Sequence, residues 1–326
     1  MKQRTLGKSD IQVSEVGLGC WQLGGDFGPV EADRADAVLH AAMEAGIDFW
    51  DTADVYGAGL SESRIGDFVR RNRPGVTVAS KVGRGGDLYP HGYTRQKVRA
   101  SIEGSAKRLG VDAIDLVQLH CVPPEVLYDG DLLAWMEDFQ RDGLLRAFGA
   151  SVETLEEAKF ACTHPDLASL QIIFNLFRQD AITELFPLAQ AKNVGIIVRL
   201  PLASGVLAGR MTAGQAFAET DHRQYNRHGE AFSQGETFSG IPFETAVALA
   251  DALKPRVPEG MDLAQMAMRW ILDHPAVTTV IAGASRPDQV TRNAAASDLA
   301  PLDTALHDEL AAFYAEKVRS HVQVPI

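Results

Sequence analysis

The 326-residue sequence predicts an α/β fold, one closed (β/α)8 barrel spanning residues 1–326, with an N-terminal β-hairpin and a long loop after the seventh strand. From residue 16, apolar strand-like runs alternate eight times with helix-like segments, without an obvious linker. Several strand ends also carry polar side chains, as an active site at the carboxyl edge of a barrel requires. An open doubly wound sheet competes, but its G-x-G-x-x-G motif is absent, since residues 16–22 read V-G-L-G-C-W-Q.

The first half of the chain supplies the hairpin and four strands. Residues 3–6 and 11–13 flank a G-K-S-D turn, which is typical of a hairpin. Gly46 is placed to end a helix with an apolar stripe over 35–43, and Ser61 can cap the next one. Helix 94–109 follows later, with Gly110 beyond its end. The strands predicted here are 16–21, 47–50, 76–80 and 114–119.

The second half supplies four more strands and the remaining helices. Between residues 203 and 241 the alternation loosens into a glycine-rich, polar stretch, and a loop of this length is commonly a lid or a binding loop. The predicted strands are 144–150, 170–174, 195–198 and 278–281. The predicted helical segments are 131–142, 155–162, 184–192, 243–253, 263–272, 287–295 and 304–317.

The amino-acid composition argues against several classes of protein. With 31 basic and 43 acidic residues the net charge is −12, which argues against nonspecific binding to nucleic acid or acidic lipid. The three cysteines form no C-x-x-C pair, so neither a disulfide framework nor a zinc ribbon is indicated. The start lacks an apolar leader and no run of 18 apolar residues occurs, so we expect a cytoplasmic protein without a membrane span.

Four polar residues at or just past the ends of the second, third and fourth strands suggest chemistry: Asp51, Tyr56, Lys81 and His120. A lysine ammonium beside a tyrosine favours the phenolate and lowers its pKa, and Asp51 would keep that lysine charged and in place. His120 could hydrogen-bond a substrate carbonyl. Each residue alone has an ordinary explanation, as a loop tyrosine, an exposed lysine, a turn cap or a core histidine. On successive strand ends, the set matches carbonyl reduction by an external hydride donor.

The sequence resembles the aldo-keto reductases. Residues 51–57, D-T-A-D-V-Y-G, with S-E at 61–62, are similar to that family's signature, and A-S-K at 79–81 and L-V-Q-L-H at 116–120 are similar to its lysine and histidine strands. The resemblance runs from the hairpin to Asn293. It implies a TIM barrel and an NADPH-dependent oxidoreductase that reduces an aldehyde or ketone. Tyr56 would be the general acid, with Lys81 and Asp51 tuning it and His120 orienting the carbonyl.

The resemblance also assigns residues to the cofactor, NADP(H). Ser151 and Gln171 would contact the nicotinamide carboxamide, although Val152 replaces the family's asparagine. Arg199 stands at the position of a stacking aromatic, and a guanidinium plane can also stack on a ring. The loop that closes on the pyrophosphate would contribute Leu202, Ser204, Gly205, Leu207 and Arg210, the last at the family's usual lysine.

The adenosine end of the cofactor would lie near the last predicted strand. A helix amino terminus can receive phosphate there, and Arg286 could pair with a 2′-phosphate. Arg292 stands where the family has a glutamate, and its positive charge favours the same cofactor. The residues assigned to this end are Gly283, Ser285, Arg286, Gln289 and Asn293.

Substrate residues follow only from loop positions at the barrel mouth: Trp21, Phe27, Tyr89 and His91, with Tyr225 or Phe232 from the long loop. Aromatic walls suit a sugar ring, a steroid or terpenoid, or an aromatic aldehyde. No metal ligand is predicted, because a metal-dependent hydrolase would need clustered histidines near the first strand. A redox-sensing auxiliary module with little turnover, and a sugar or alcohol dehydrogenase running in the oxidative direction, stay open. The natural substrate and the oligomeric state stay open as well.

Overall fold

The computed structural model describes residues 1–25, 28 and 30–325. In this part of the chain, eight parallel strands close into a barrel because the last strand pairs with the first. The predicted (β/α)8 barrel with its N-terminal hairpin is therefore confirmed. The hairpin consists of β1 (Gln3–Thr5) and β2 (Gln12–Ser14). The barrel strands are β3 (Val16–Gly19), β4 (Phe49–Asp51), β5 (Thr77–Val82), β6 (Ile114–His120), β7 (Leu145–Ser151), β8 (Ser169–Ile173), β9 (Gly195–Arg199) and β10 (Val277–Gly283).

Helices surround the barrel, and several begin with the caps that their sequences provide. The Thr154 hydroxyl accepts a hydrogen bond from the Glu157 amide in a capping box, and Asp262 and Gln265 form another. The helices are α1 (Ala32–Glu44), α2 (Leu60–Asn72), α3 (Arg95–Leu109), α4 (Pro124–Tyr128), α5 (Asp131–Arg141), α6 (Leu155–Ala161), α7 (Ala181–Glu184), α8 (Phe186–Ala191), α9 (His222–Tyr225), α10 (Phe243–Leu253), α11 (Leu263–Leu272), α12 (Pro287–Ala294) and α13 (Thr304–Phe313). Among these described helices, none is long and apolar enough to cross a membrane.

Two local predictions differ from the structure. Ser61 does not cap α2, which starts at Leu60; its buried hydroxyl instead donates to the Cys20 carbonyl oxygen at 2.9 Å and accepts from Thr52. The predicted helix 184–192 is split at Leu185, because Pro187 has no amide hydrogen to continue the turn. The Ser61 contacts join the ends of β3 and β4, where the candidate site begins.

The hairpin closes the amino-terminal end of the barrel. Its side chains Leu6, Ile11 and Val13 are buried against apolar residues that point into the barrel, such as Phe49 and Leu116. Gly7 has φ +54°, and a Cβ there would lie 2.2 Å from the Ala168 carbonyl oxygen, so this contact requires glycine. With this end filled, ligands can enter from the carboxyl ends of the strands.

Candidate active site

A buried lysine organises the carboxyl end of the barrel. Lys81, the next-to-last residue of β5, is only 1% exposed. Its ammonium donates to Asp51 Oδ1 at 2.5 Å, to the Thr52 carbonyl oxygen at 2.8 Å and to Tyr56 Oη at 3.2 Å. His120, the last residue of β6, packs edge-on to the Tyr56 ring with 5.9 Å between centroids. The structure therefore brings together the four residues that the sequence analysis selected.

Two glutamines hold the second oxygen of Asp51. Gln171 Nε2 donates to Asp51 Oδ2 at 2.8 Å and Gln118 Nε2 does so at 3.2 Å. Ser151 Oγ donates to Gln171 Oε1 at 3.3 Å, which links the predicted nicotinamide residues to the carboxylate. Gln118 was missed, although a glutamine inside the apolar run 114–119 is itself a signal of a buried polar role. Together these donors fix the orientation of Asp51 and compensate its burial.

Burial and the neighbouring charges shift the pKa values of Lys81 and Tyr56 in opposite directions. Burial lowers the pKa of Lys81, but the Asp51 carboxylate and Tyr56 outweigh it, and the net pKa is raised. Burial raises the pKa of Tyr56 to about 12, whereas Lys81 acts to lower it. Lys81 thus acts in the direction expected from the sequence, but burial is the larger effect. Tyr56 is a neutral phenol near neutral pH, with a proton to donate.

His120 is also held neutral. Burial is the main cause of its pKa lying well below the usual range, and the charges of Arg84 and Lys81 add to the effect. Its buried Nδ1 has no hydrogen-bond partner among the described residues. A neutral imidazole keeps one N–H donor and one acceptor, so His120 can hydrogen-bond a carbonyl oxygen without carrying a charge into the site.

Three adjoining cavities run across the barrel mouth. The first, of about 380 Å³, shares Trp21, Tyr56 and His120 with the second, of about 90 Å³. The second shares Gln22, Pro201 and Gly283 with the third, of about 360 Å³. The groove thus offers one site for a small molecule beside Tyr56 and an extended path for a longer ligand. Of the predicted residues, the second cavity is lined by Ser151, Gln171, Arg199 and Gly283, and the third by Leu202, Ser204, Gly205, Gly283, Ser285, Arg286 and Gln289.

Three predicted cofactor residues do not line these cavities. Leu207 is fully buried in the apolar core, Arg210 is exposed, and Asn293 is buried. Gln289 lines the third cavity and also organises the start of α12, since its Oε1 accepts from the backbone N–H groups of Ser285 at 2.8 Å and Arg286 at 3.1 Å. The predicted cofactor residues therefore line the groove mainly in its central part, and their contact with a cofactor stays a prediction.

The groove has features that fit a nicotinamide dinucleotide. Gln22 Oε1, where the second and third cavities meet, is buried without a hydrogen-bond partner in the described structure. A Cβ at Gly283 would lie 2.1 Å from Gln22 Nε2, so glycine keeps the path open there. Arg223 and Arg286 line the third cavity and give it positive charge suited to phosphates. Arg223 also pairs with Asp221 at 2.6 Å.

Unusual backbone conformations concentrate at this mouth. Leu200, Ala203 and Ser204 all have positive φ and precede or lie within the 3-10 turn Ala203–Ala208 beside the third cavity. Ser204 Oγ donates to the Glu236 carbonyl oxygen and accepts from the Phe238 amide, both at 3.1 Å. Such strain persists where surrounding contacts enforce it, commonly at ligand sites.

An aromatic wall lines the first cavity. The Trp21 ring stacks on Tyr56 with centroids 5.8 Å apart, and Phe232 from the long loop lies edge-on to Trp21 at 5.9 Å. Asn226 supports Phe232, because its Oδ1 accepts from the Phe232 amide at 2.9 Å. Tyr89 and Tyr225 also line the cavity. Of the other predicted substrate residues, His91 is exposed and outside the lining, and Phe27 lies outside the described residues.

A cluster of four charged residues completes the site, and the sequence analysis recognised only Arg199. Arg84 Nη2 lies 2.8 Å from Glu153 Oε1 and 2.7 Å from Glu236 Oε1. Arg199 lies 3.3 Å from Glu153 and 3.4 Å from Glu236, and it donates to the Val152 carbonyl oxygen at 3.0 Å. Arg84 and Glu236 are far apart in the chain, so no local motif joins them. The cluster has two positive and two negative side chains.

Comparison with known proteins gives consistent results. The sequence model of the Aldo/keto reductase family matches residues 15–315. A probable voltage-gated potassium channel subunit beta from Oryza sativa subsp. japonica is 30% identical over 318 residues, covering 93% of each chain. The NADH-specific methylglyoxal reductase of Escherichia coli (strain K12) is 28% identical over 338 residues, covering 95% of this chain and 98% of that protein. The solved glycerol dehydrogenase of Gluconobacter oxydans superposes with a TM-score of 0.79 at 27% identity, covering 99% and 97% of the two chains.

Proposed function

Because the chain belongs to the aldo/keto reductase family of oxidoreductases, we propose that it reduces an aldehyde or ketone to an alcohol with NADPH as hydride donor. One observation carries the proposal. The Tyr56 hydroxyl lies 3.2 Å from the buried Lys81 ammonium, beside His120, where the first and second cavities meet. The proposed proton donor Tyr56 therefore lies between the first cavity, which would hold the small substrate, and the second cavity, which would hold the nicotinamide ring.

The residues of the site have distinct tasks in this proposal. The nicotinamide supplies a hydride to the carbonyl carbon when the cofactor is bound. Tyr56 donates its proton to the carbonyl oxygen, and Lys81 stabilises the negative charge that develops on the tyrosine oxygen. Asp51 keeps Lys81 charged and in position through its 2.5 Å contact. His120 donates a hydrogen bond to the substrate oxygen and orients it.

The cofactor would lie along the second and third cavities. Ser151 and Gln171 would hold the carboxamide, and Arg199 would lie against the nicotinamide ring. The strained turn around Ser204 and Gly205 would hold the pyrophosphate with its backbone N–H groups. Aldo/keto reductases use nicotinamide cofactors, so this much agrees with the family.

We propose that the cofactor is NADP(H) rather than NAD(H). The exposed Arg286 guanidinium lines the third cavity and now pairs only with Asp288, at 3.0 Å, among the described residues. A 2′-phosphate offers more negative charge than this carboxylate and would compete for the guanidinium. The Escherichia coli relative is named for NADH, so the comparison to make is between NADPH and NADH on this chain.

Two alternatives have support from relatives. The Gluconobacter oxydans neighbour is named a glycerol dehydrogenase, so oxidation of an alcohol with NADP⁺ is the reverse reaction to test. The rice relative is named a channel subunit, which suggests an auxiliary module that holds the cofactor with little turnover. The assembled Tyr56, Lys81 and Asp51 favour turnover, because a module that only binds cofactor has no need of a proton donor.

The test is loss of dihydronicotinamide absorbance from NADPH with a generic aromatic aldehyde, measured with the reverse reaction on NADP⁺ and glycerol. Turnover with the aldehyde supports the reductase. Turnover with glycerol alone would replace it with the dehydrogenase. Tight NADPH binding without turnover in either direction would reject both and favour the auxiliary module.

A further inference from the structure

A short turn of the chain packs against the proton donor Tyr56, and α2 holds that turn in place. It is the 3-10 turn Trp21–Gly24, here called the tryptophan turn, which follows β3 and supplies Trp21 to the first and second cavities. Resting on the proposed reductase function, we propose that Arg64 of α2 is a positioning residue. It fixes the tryptophan turn against Tyr56 and so holds the phenol in its orientation for proton transfer. Arg64 itself lies outside the lining of the three cavities.

The tryptophan turn contacts Tyr56 through both a side chain and the backbone. The Trp21 ring stacks on the Tyr56 ring with 5.8 Å between centroids and 20° between planes. A Cβ built on Gly24 would lie 2.6 Å from the Tyr56 carbonyl carbon and 2.7 Å from the Gly57 nitrogen. Because only a hydrogen atom fits there, the turn lies directly against the peptide bond that follows Tyr56. A shift of the turn therefore moves the Tyr56 ring, its backbone or both.

Two side chains on one face of α2 hold the tryptophan turn. Ser61 and Arg64 are three residues apart, which places them on the same side of a helix. Ser61 Oγ donates to the Cys20 carbonyl oxygen at 2.9 Å, just before the turn. Arg64 Nη1 donates to the Leu23 carbonyl oxygen at 2.6 Å, within the turn. The same helix receives Tyr56 itself, since the Ser61 amide donates to the Tyr56 carbonyl oxygen at 3.3 Å, so α2 holds the tyrosine and the turn as one unit.

The second arm of the Arg64 guanidinium reaches the chain beyond the turn. Its Nη2 donates to the Val30 carbonyl oxygen at 2.7 Å, so one side chain ties Leu23 to Val30. A planar guanidinium donates to two acceptors at once in a fixed geometry, which an ammonium does not reproduce. The described hydrogen bonds of Arg64 go to backbone carbonyls, whereas Arg71 on the same helix pairs with Asp36. Arg64 is therefore used for the geometry of its donors and not for an ion pair.

The position of the phenol matters because its hydroxyl is weakly held. Among the described contacts, Tyr56 Oη has one hydrogen bond, at 3.2 Å from the Lys81 ammonium. The orientation of the ring therefore depends on its packing against Trp21 and His120. A displacement of about 1 Å between reacting groups can slow a reaction on the order of 10²-fold. Loosening the tryptophan turn should thus slow proton transfer, although Arg64 touches neither substrate nor cofactor in this proposal.

The competing role for Arg64 is to stabilise the fold alone. A single turnover separates the two roles. Unfolded enzyme lowers the amount of NADPH that is oxidised, which is the amplitude of the reaction. A displaced Tyr56 in folded enzyme instead lowers the rate constant and leaves the amplitude complete. The rate constant of a single turnover is therefore the measurement that a purely structural role does not change.

The experiment mixes full-length enzyme, in excess over NADPH, with a saturating aromatic aldehyde and follows the loss of dihydronicotinamide absorbance. We expect Arg64→Met to lower the rate constant by about tenfold or more at full amplitude. Arg64→Lys should recover part of this loss, because an ammonium can still donate to one of the two carbonyls. Arg71→Met is the matched control, since Arg71 is exposed on the same helix, and it should keep the wild-type rate constant.

Gly24→Ala tests the same contact from the other side and serves if Arg64→Met does not fold. The added Cβ must push the tryptophan turn away from Tyr56, so the rate constant should fall here too. Gly75→Ala is its control, because a Cβ there meets no described atom within 4 Å. Wild-type rate constants in folded Arg64→Met and in Gly24→Ala would overturn the positioning role and leave the proposed function intact. No turnover by the wild type would overturn the proposed function and this inference with it.

Discussion

Replacing Tyr56 by phenylalanine isolates the proton donor, because it removes one hydroxyl group and little else. Lys81 keeps its contacts with Asp51 at 2.5 Å and Thr52 at 2.8 Å. The ring keeps its packing against Trp21 and His120, with centroids 5.8 and 5.9 Å away. Among the described contacts, the substitution removes only the 3.2 Å hydrogen bond to Lys81, so the free energy of unfolding should fall by about 1 kcal/mol.

The kinetic effect should be far larger than the effect on stability. Removal of a positioned general acid typically slows a reaction by about 10²- to 10⁴-fold, which corresponds to roughly 3–5 kcal/mol of barrier. Because burial raises the pKa of Tyr56 to about 12, the wild type should keep its proton donor from neutral to moderately alkaline pH. Reductive kcat/KM should therefore not fall with a tyrosine ionisation near pH 7.

The assay follows NADPH oxidation with an aldehyde that wild type reduces, and fluorescence titration measures NADPH binding. Tyr56→Phe should lose turnover and bind NADPH within about threefold of wild type, since the lost group contributes to the transition state. Tyr128→Phe is the control, because Tyr128 is exposed on α4, away from the cavities. Retained turnover in Tyr56→Phe, with the control also active, would refute the assignment of Tyr56 as the acid.

Three further predictions concern other residues. Arg286→Ala should raise the dissociation constant of NADPH about tenfold and leave that of NADH unchanged, measured by fluorescence titration; equal effects would remove the phosphate role. Asp54→Asn should raise the free energy of unfolding near pH 7 by up to about 3 kcal/mol but not near pH 4. Burial raises the pKa of Asp54 to about 6 in the folded protein. The stability that is present while Asp54 is protonated in both the folded and the unfolded state is therefore lost as pH rises from 4 through 6. A gain of the same size at both pH values in urea unfolding would contradict this cause. Arg4→Met should destabilise the fold by about 3 kcal/mol in the same assay, since Arg4 pairs at 2.6 Å with the fully buried Glu15; unchanged stability would show that Ser297 and Arg269 suffice for that carboxylate.

Local sequence patterns predicted the barrel and the polar residues that meet at its carboxyl end. Each strand is an apolar run that needs burial on both faces, and eight such runs alternating with helices leave few other arrangements. Asp51, Lys81 and His120 could be found because each ends or nearly ends such a run, and carboxyl ends of barrel strands meet at one mouth. Tyr56 was found through the D-T-A-D-V-Y-G motif of residues 51–57.

Where the structure differs from a local prediction, the cause is a contact between residues that are distant in the chain. Ser61 looks like a cap from its neighbours, yet its hydroxyl is used by Cys20 and Thr52. The side chain of Leu207, which belongs to a loop that resembles a cofactor loop, is buried in the core, and its predicted contact with the cofactor stays a prediction. Neither outcome is encoded in a window of a few residues, because both depend on how the loop folds back on the barrel.

The sequence by itself determined the barrel, the hairpin and the meeting of Asp51, Lys81 and His120 at one mouth, because these follow from hydrophobic period and strand direction. Only the tertiary structure decided the protonation state of Tyr56 and the pairing of the charged residues beside it. The pKa of Tyr56 follows from burial that outweighs Lys81. The pairing of Arg84 with Glu153 and Glu236 joins a strand end, a second strand end and the long loop. Desolvation and Coulomb interactions depend on distances in space, which a linear pattern does not contain.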